Sequence, residues 1–225
     1  MSDKCWICNV DKAESGEHVI MKSAFEKLLG KPEKDKNRFF IYKAERKKRM
    51  IGSFKNDQLK FDKSICTQCN GALTQPYDNE FMSFIGKLIR SKTLIVSRNK
   101  LAFNSFNKTN LALYFIKIFG CLLKENDGLI EERDFDLIRQ SLIRGKVLTD
   151  NIYLSAHRDL EKLTALGAKS IGHCPVLEKT FCSWIIDLDW ISLVISYPFP
   201  PIQDEWGTPW NLGEDVTSLT LGKFG

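Results

Sequence analysis

Two pairs of cysteines, Cys5-Trp6-Ile7-Cys8 and Cys66-Thr67-Gln68-Cys69, constrain this chain more than any other feature, and 57 residues lie between them. Each Cys-x-x-Cys offers two thiolates from one tight turn, and two such pairs complete the four ligands of a tetrahedral zinc ion. A zinc held in this way draws together segments that are far apart in sequence. The opening Met1-Ser2-Asp3-Lys4-Cys5 has no apolar stretch of the kind an export signal carries. Paired cysteines in such a chain point to metal ligation in a reducing compartment rather than to disulfides, and a cytoplasmic location is expected. The other cysteines read differently. Cys121 lies inside an apolar helix pattern as a core residue, and His157, His173, Cys174 and Cys182 lie among apolar strands as core or loop residues.

A zinc staple alone has no use for what lies beside the pairs. Ser15-Gly16-Glu17-His18-Val19-Ile20 stands between them, and Asn70 follows Cys69 directly. A carboxylate, an imidazole and a carboxamide gathered on a metal-pinned scaffold are suited to metal-assisted phosphodiester hydrolysis. Charge agrees with an anionic substrate. Residues 1–100 hold 21 Lys/Arg against 12 Asp/Glu, whereas residues 101–225 hold 12 against 16. The half with the cysteine pairs is therefore the basic half, as a phosphate-binding surface is. The most apolar stretch, residues 111–123, is too short to span a bilayer and carries Lys117.

Periodicity outlines the remaining elements. Ile20, Ala24, Phe25, Leu28 and Leu29 recur at helical spacing, and Gly30 with Pro32 stops that helix. Gly16 is expected to let the backbone turn before Glu17. Residues 38–42 and 50–54 are β-prone, and the intervening charged run 43–49 reads as a hairpin tip that either tracks a nucleic-acid backbone or only keeps a loop soluble. After Pro76, the residues Tyr77, Phe81, Phe84, Ile85 and Leu88 share one face of a second helix, with Asn70 just ahead of it or on its first turn. Residues 93–96 and 101–103 read as short strands. Residues 109–125 form a helix apolar on nearly every side, with Thr109 as its cap, so it is buried. Residues 131–143 form another helix, acidic at its start and basic at its end. Residues 151–156, 170–177, 180–187 and 191–197 read as strands, and 198–210 as a rigid loop rich in Pro and Trp.

Cys5/Cys8, Glu17-His18 and Cys66/Cys69-Asn70 together resemble the zinc-bearing branch of the HNH, or ββα-metal, endonucleases. The pattern of that branch is Cys-x-x-Cys, an acidic-His pair followed by two apolar residues, then Cys-x-x-Cys-Asn. The resemblance covers roughly residues 5–85. It implies a structural zinc on Cys5, Cys8, Cys66 and Cys69. It also implies a catalytic magnesium or manganese ion held by Glu17 and by the side-chain oxygen of Asn70, a preference of hard cations for oxygen. His18 becomes the general base that takes a proton from the attacking water, and Lys22 either contacts an adjacent phosphate or is simply exposed. Three positions depart from the family. Met21 stands where proline is common, Phe61-Asp62 where a loop-bracing Asn is usual, and the spacing between the pairs implies an insertion over residues 20–54.

The expected fold is α+β. A zinc-stapled ββα module with a basic insertion spans 1–92, and an α+β region with a helical segment and mostly antiparallel strands spans 93–225. The resemblance implies an HNH endonuclease acting on nucleic acid, with DNA the expected substrate and no membrane partner. A zinc-stabilised nucleic-acid-binding or protein-docking module without catalysis is the alternative from another class. A nuclease effector controlled through its C-terminal region, by a protein partner or a second copy, is a third.

Overall fold

The computed structural model describes residues 4–31, 39–42, 48–51, 53, 55, 57–126, 130–158, 168–174, 179–188, 190–200 and 207–223. The chain is α+β. Its helices are α1 (Lys22–Leu29), α2 (Gln75–Arg90), α3 (Lys92–Arg98), α4 (Lys108–Glu125) and α5 (Glu132–Arg144). The strands are β1 (Phe39–Tyr42), β2 (Lys48–Ile51), β3 (Lys100–Ala102), β4 (Tyr153–Arg158), β5 (Ala168–Cys174), β6 (Lys179–Leu188), β7 (Ile191–Tyr197), β8 (Trp210–Asn211), β9 (Ser218–Thr220) and β10 (Gly222–Lys223).

β1 and β2 pair antiparallel, Phe39 opposite Ile51 through Tyr42 opposite Lys48. Most of the charged tip expected over 43–49 lies outside the described residues, as does part of the expected Pro/Trp loop. The main sheet has the order β10-β4-β7-β6-β5, with β8 also on β4. Every described pair in it is antiparallel except β10 on β4. β7 is its centre and is buried at every position, so its sequence, Ile191 to Tyr197, does not alternate as a half-exposed strand does.

α4 is the axis of the core. All residues from Leu111 to Leu123 are buried, and Asn107 rather than the expected Thr109 caps it, its side-chain oxygen accepting the Asn110 N–H at 3.0 Å. Phe81 of α2 stacks on Tyr114 of α4 with ring centroids 3.9 Å apart, and the face expected for α2 is the buried one. One cluster of buried apolar side chains runs from Cys5 to Leu221, so elements on both sides of residue 92 share it.

Residues 93–96 are helical, not extended: they lie in α3, which ends at Asn99 in the left-handed region, φ 50°. The run Thr93-Leu94-Ile95-Val96 has strand propensity, but only Ile95 of α3 is buried. A single buried position suits a one-sided helix, and context overrides the weak propensity of such a short run. No helix among the described residues is long and apolar enough to cross a membrane.

Candidate functional site

The four paired cysteines converge. The Sγ atoms of Cys5, Cys8, Cys66 and Cys69 all lie within 4.8 Å of one another, and those of Cys8 and Cys66 are 3.9 Å apart. Zn–S bonds of about 2.3 Å in a tetrahedron place sulfurs about 3.8 Å from each other, so the cluster is the right size for zinc. Local backbone builds each half. Asn9, in the left-handed region at φ 57°, closes the first knuckle with its N–H on the Cys5 carbonyl at 2.8 Å. The Cys69 N–H donates to Cys66 Sγ at 3.4 Å in the second. Burial pushes the Cys66 and Cys69 thiols up, while the amides of Asp11 and Val10 hold Cys8 below its ordinary value against the opposing effect of burial. Four thiolates packed this tightly need a cation among them, and a divalent metal is the species that suits four sulfurs. Asp11 adds a carboxylate to the rim, its Oδ2 3.6 Å from Cys66 Sγ. The bare sequence did not signal that role.

Trp6 ties this cluster to the rest of the molecule. Its indole lies against Gly120 of α4, where an added Cβ would sit 2.4 Å from Cη2, and its ring is 5.4 Å from that of Phe135 in α5. The residue between Cys5 and Cys8 is thus a wedge against two helices distant in sequence.

The segment bearing Glu17-His18 runs antiparallel to residues 59–65. Ser15 N–H donates to Ile65 O at 2.8 Å, Phe61 N–H to Glu17 O at 2.8 Å, and Val19 N–H to Leu59 O at 2.8 Å. Gly16 is needed for this contact rather than for a turn: its φ is not positive, but a Cβ there would meet the Phe61 carbonyl at 2.7 Å. Phe61, at the position where the family commonly has Asn, is buried and packs edge-on against Trp184 of β6 at 5.8 Å. Asp62 N–H is received by the Glu125 carboxylate of α4 at 2.8 Å. The loop is braced from the core instead of by an Asn side chain.

The chain then enters a π-helical turn, Cys69–Leu73, which leads straight into α2. Asn70 lies on that turn and its Nδ2 donates to Ser15 Oγ at 2.7 Å. Asn70 and the Glu17-His18 segment are therefore held together through Ser15. The His18 imidazole is half-buried, and its Nε2 is enclosed with no hydrogen-bond partner among the described residues. Burial, then the charges of Lys60 and Lys22, hold its pKa below the usual 6.5 against a smaller upward pull from Asp57. The imidazole is neutral at pH 7. Lys22 itself pairs with Glu26 at 3.2 Å.

Glu17 has a different environment from that of an open metal ligand. It is 6% exposed. Its Oε2 is 3.1 Å from Lys117 Nζ, and its Oε1 accepts the backbone N–H of His18 at 3.1 Å. Lys117, wholly buried in α4, also reaches Asp78 Oδ1 of α2 at 2.5 Å. The lysine ammonium thus stands between two buried carboxylates, where a hard cation would otherwise be sought. Magnesium or manganese at Glu17 does not fit this arrangement unless it shares or displaces that ammonium. Lys117 showed in the sequence only as an interruption of an apolar run, and Asp78 did not stand out at all. Of the other residues read as core, Cys121, Cys182 and His157 are buried. No protein-family model matches this chain, and neither does any curated protein or solved structure.

Proposed function

We propose that this protein is a zinc-stapled HNH-type endonuclease that hydrolyses phosphodiester bonds of DNA, with His18 as the general base. The observation that carries the reading is the order of parts around the four-cysteine cluster. Two antiparallel segments, the first bearing Glu17-His18, are followed by a helical run bearing Asn70, and Ser15 fastens Asn70 to the first segment. That is the ββα order which the sequence resemblance implies, with α1 and the β1–β2 hairpin as the insertion between its two β segments.

In this reading zinc is structural and the chemistry belongs to the chain around it. His18 is neutral near pH 7, the form that accepts a proton from an attacking water, and an imidazole in that state suits the task. Burial first, then the charges of Lys60 and Lys22, favours the neutral imidazole, and those two cations also favour an approaching phosphate. Asn70, fixed by Ser15, is positioned to orient the substrate or a bound water through its carboxamide. Glu17 orients His18 by accepting its backbone N–H. The expected role of Glu17 and Asn70 as ligands of magnesium or manganese is left to the assay, because Lys117 already occupies Glu17.

A second reading has its own observation. The same Lys117 pair makes Glu17 a structural residue, which favours a zinc-stabilised nucleic-acid-binding or protein-docking module without catalysis. One experiment separates the two. Supercoiled plasmid is incubated with the wild type and with His18→Ala, with Mg²⁺, with Mn²⁺ and with neither, and zinc content is measured on both proteins. Nicking by wild type and its loss in a zinc-replete His18→Ala protein support the enzyme. Plasmid left intact by a zinc-replete wild type under every condition overturns it in favour of the second reading.

A further inference from the structure

One face of the helices gathers positive charge that pairs with no carboxylate among the described residues. Lys27 projects from α1 and Arg90 from the end of α2, and both reach across Gly86. A Cβ built at Gly86 would lie 3.0 Å from Lys27 Nζ and 3.2 Å from Arg90 Nη1. The ammonium and the guanidinium are therefore no farther apart than the sum of those distances. Both residues are exposed, and neither forms an ion pair with a carboxylate among the described residues. Like charges that meet without a counter-charge repel each other, and an anion between them relieves the repulsion.

The surroundings are shaped for such an anion. Gly86 is buried in the body of α2, where glycine weakens a helix relative to alanine. In this place its missing side chain leaves open the space between the two cations. The next residue, Lys87, builds the wall: its Nζ donates to Ala102 O at 3.0 Å and Ser105 Oγ at 2.8 Å, and lies 4.6 Å from the centre of the Phe106 ring. Lys27, Gly86, Lys87, Arg90, Ser105 and Phe106 line an open cleft of about 510 Å³.

We propose that this cleft is a phosphate-binding subsite for a nucleic-acid backbone, with Arg90 offering a forked pair of N–H donors and Lys27 a mobile point charge. The proposal rests on the reading of the protein as acting on nucleic acid and gives that reading a second anchor. α1 connects the two places. It begins four residues after His18 and carries Lys27, and an eight-residue helix is about 12 Å long. That is the rise of three or four base steps at about 3.4 Å each.

The test is binding, with no Mg²⁺ or Mn²⁺ added, so that cleavage plays no part. Fluorescence anisotropy with a labelled 20-base-pair DNA duplex is measured over a series of salt concentrations. The proteins are wild type, Lys27→Gln/Arg90→Gln and Gly86→Asp, all with zinc content verified. Gly86→Asp keeps both cations and places a carboxylate between them. The expected result is that the double variant and Gly86→Asp each bind about tenfold or more weakly than wild type. The slope of log affinity on log salt flattens in the double variant by about 1 for each cation removed. Wild-type affinity and slope in both altered proteins overturn the proposal, as does a wild type that shows no salt-dependent binding. Inorganic phosphate added at constant ionic strength identifies the source. Displacement of DNA by phosphate as effectively as by unlabelled duplex makes free phosphate the ligand and overturns the backbone assignment. A protein that binds through this cleft but never cuts loses the nuclease reading and keeps the subsite.

Discussion

Replacing Lys117 by methionine removes the single positive charge between two buried carboxylates. The Lys117 side chain is wholly buried, and those of Glu17 and Asp78 are 7% and 10% exposed. Methionine keeps the volume and the apolar stem, so the change is one of charge and not of packing. Breaking a buried ion pair by deleting one partner costs about 3–5 kcal/mol, because the other charge is left without compensation. For a chain of this size each kcal/mol moves the melting temperature by about 2–4 °C, so a fall of about 6–20 °C is expected at pH 7. Acid should narrow the gap. Burial already holds the Asp78 carboxyl above its ordinary value, Lys117 pulls it down, and Glu17 pushes it up. With Lys117 gone the downward pull is lost. The folded variant then binds a proton more tightly than its unfolded chain does, and its stability rises as pH falls from 7 toward the carboxylate range. A triple variant, Lys117→Met with Glu17→Gln and Asp78→Asn, should recover much of the loss at pH 7. Thermal and urea unfolding at pH 7 and pH 5, with zinc present, measures all three proteins. A Lys117→Met protein within 1 kcal/mol of wild type at pH 7 would refute the reasoning, and so would a loss that the triple variant does not reduce.

Three further outcomes follow from the same geometry. Cys69→Ser should lower the zinc content well below one ion per chain and destabilise the protein, read by elemental analysis and thermal unfolding; full zinc occupancy in that variant would show that Cys69 is not a ligand. If His18 is the base, the rate of plasmid cleavage should fall with acid and reach half its plateau below pH 6.5, since burial with Lys60 and Lys22 lowers its pKa and the neutral form is the active one; a half-point above pH 6.5 would argue against this role. Gly120→Ala should destabilise despite the gain of about 1 kcal/mol in helix propensity, because overpacking against the Trp6 ring costs about 1–3 kcal/mol, and Trp6→Phe in the same chain should relieve part of the loss, visible as non-additivity in urea unfolding.

The two cysteine pairs, helices α1, α2, α4 and α5 and strands β4 to β7 were legible in the sequence because each depends on local spacing. Cys-x-x-Cys is a turn that supplies its own ligand geometry, and the buried face of α2 follows the helical repeat. The strands of the sheet announced themselves through β-branched and aromatic runs. Elements whose conformation is decided from outside were not legible. Residues 93–96 carry strand propensity yet form α3, and the cap of α4 moved to Asn107, where the side chain reaches the free N–H. The candidate site divides in the same way. Four cysteines, Glu17-His18 and Asn70 could be picked out by type and interval. Their meeting required pairs such as Ser15 with Ile65 and Asn70 with Ser15, made across fifty or more positions of sequence. The counter-charge of Glu17 comes from Lys117, one hundred residues away, and no local pattern marks a lysine in an apolar helix as the partner of a distant carboxylate. Sequence alone determined which groups could do chemistry. The tertiary structure decided which of them are neutral, which are paired and which lie open, because desolvation and charge act through space and not along the chain.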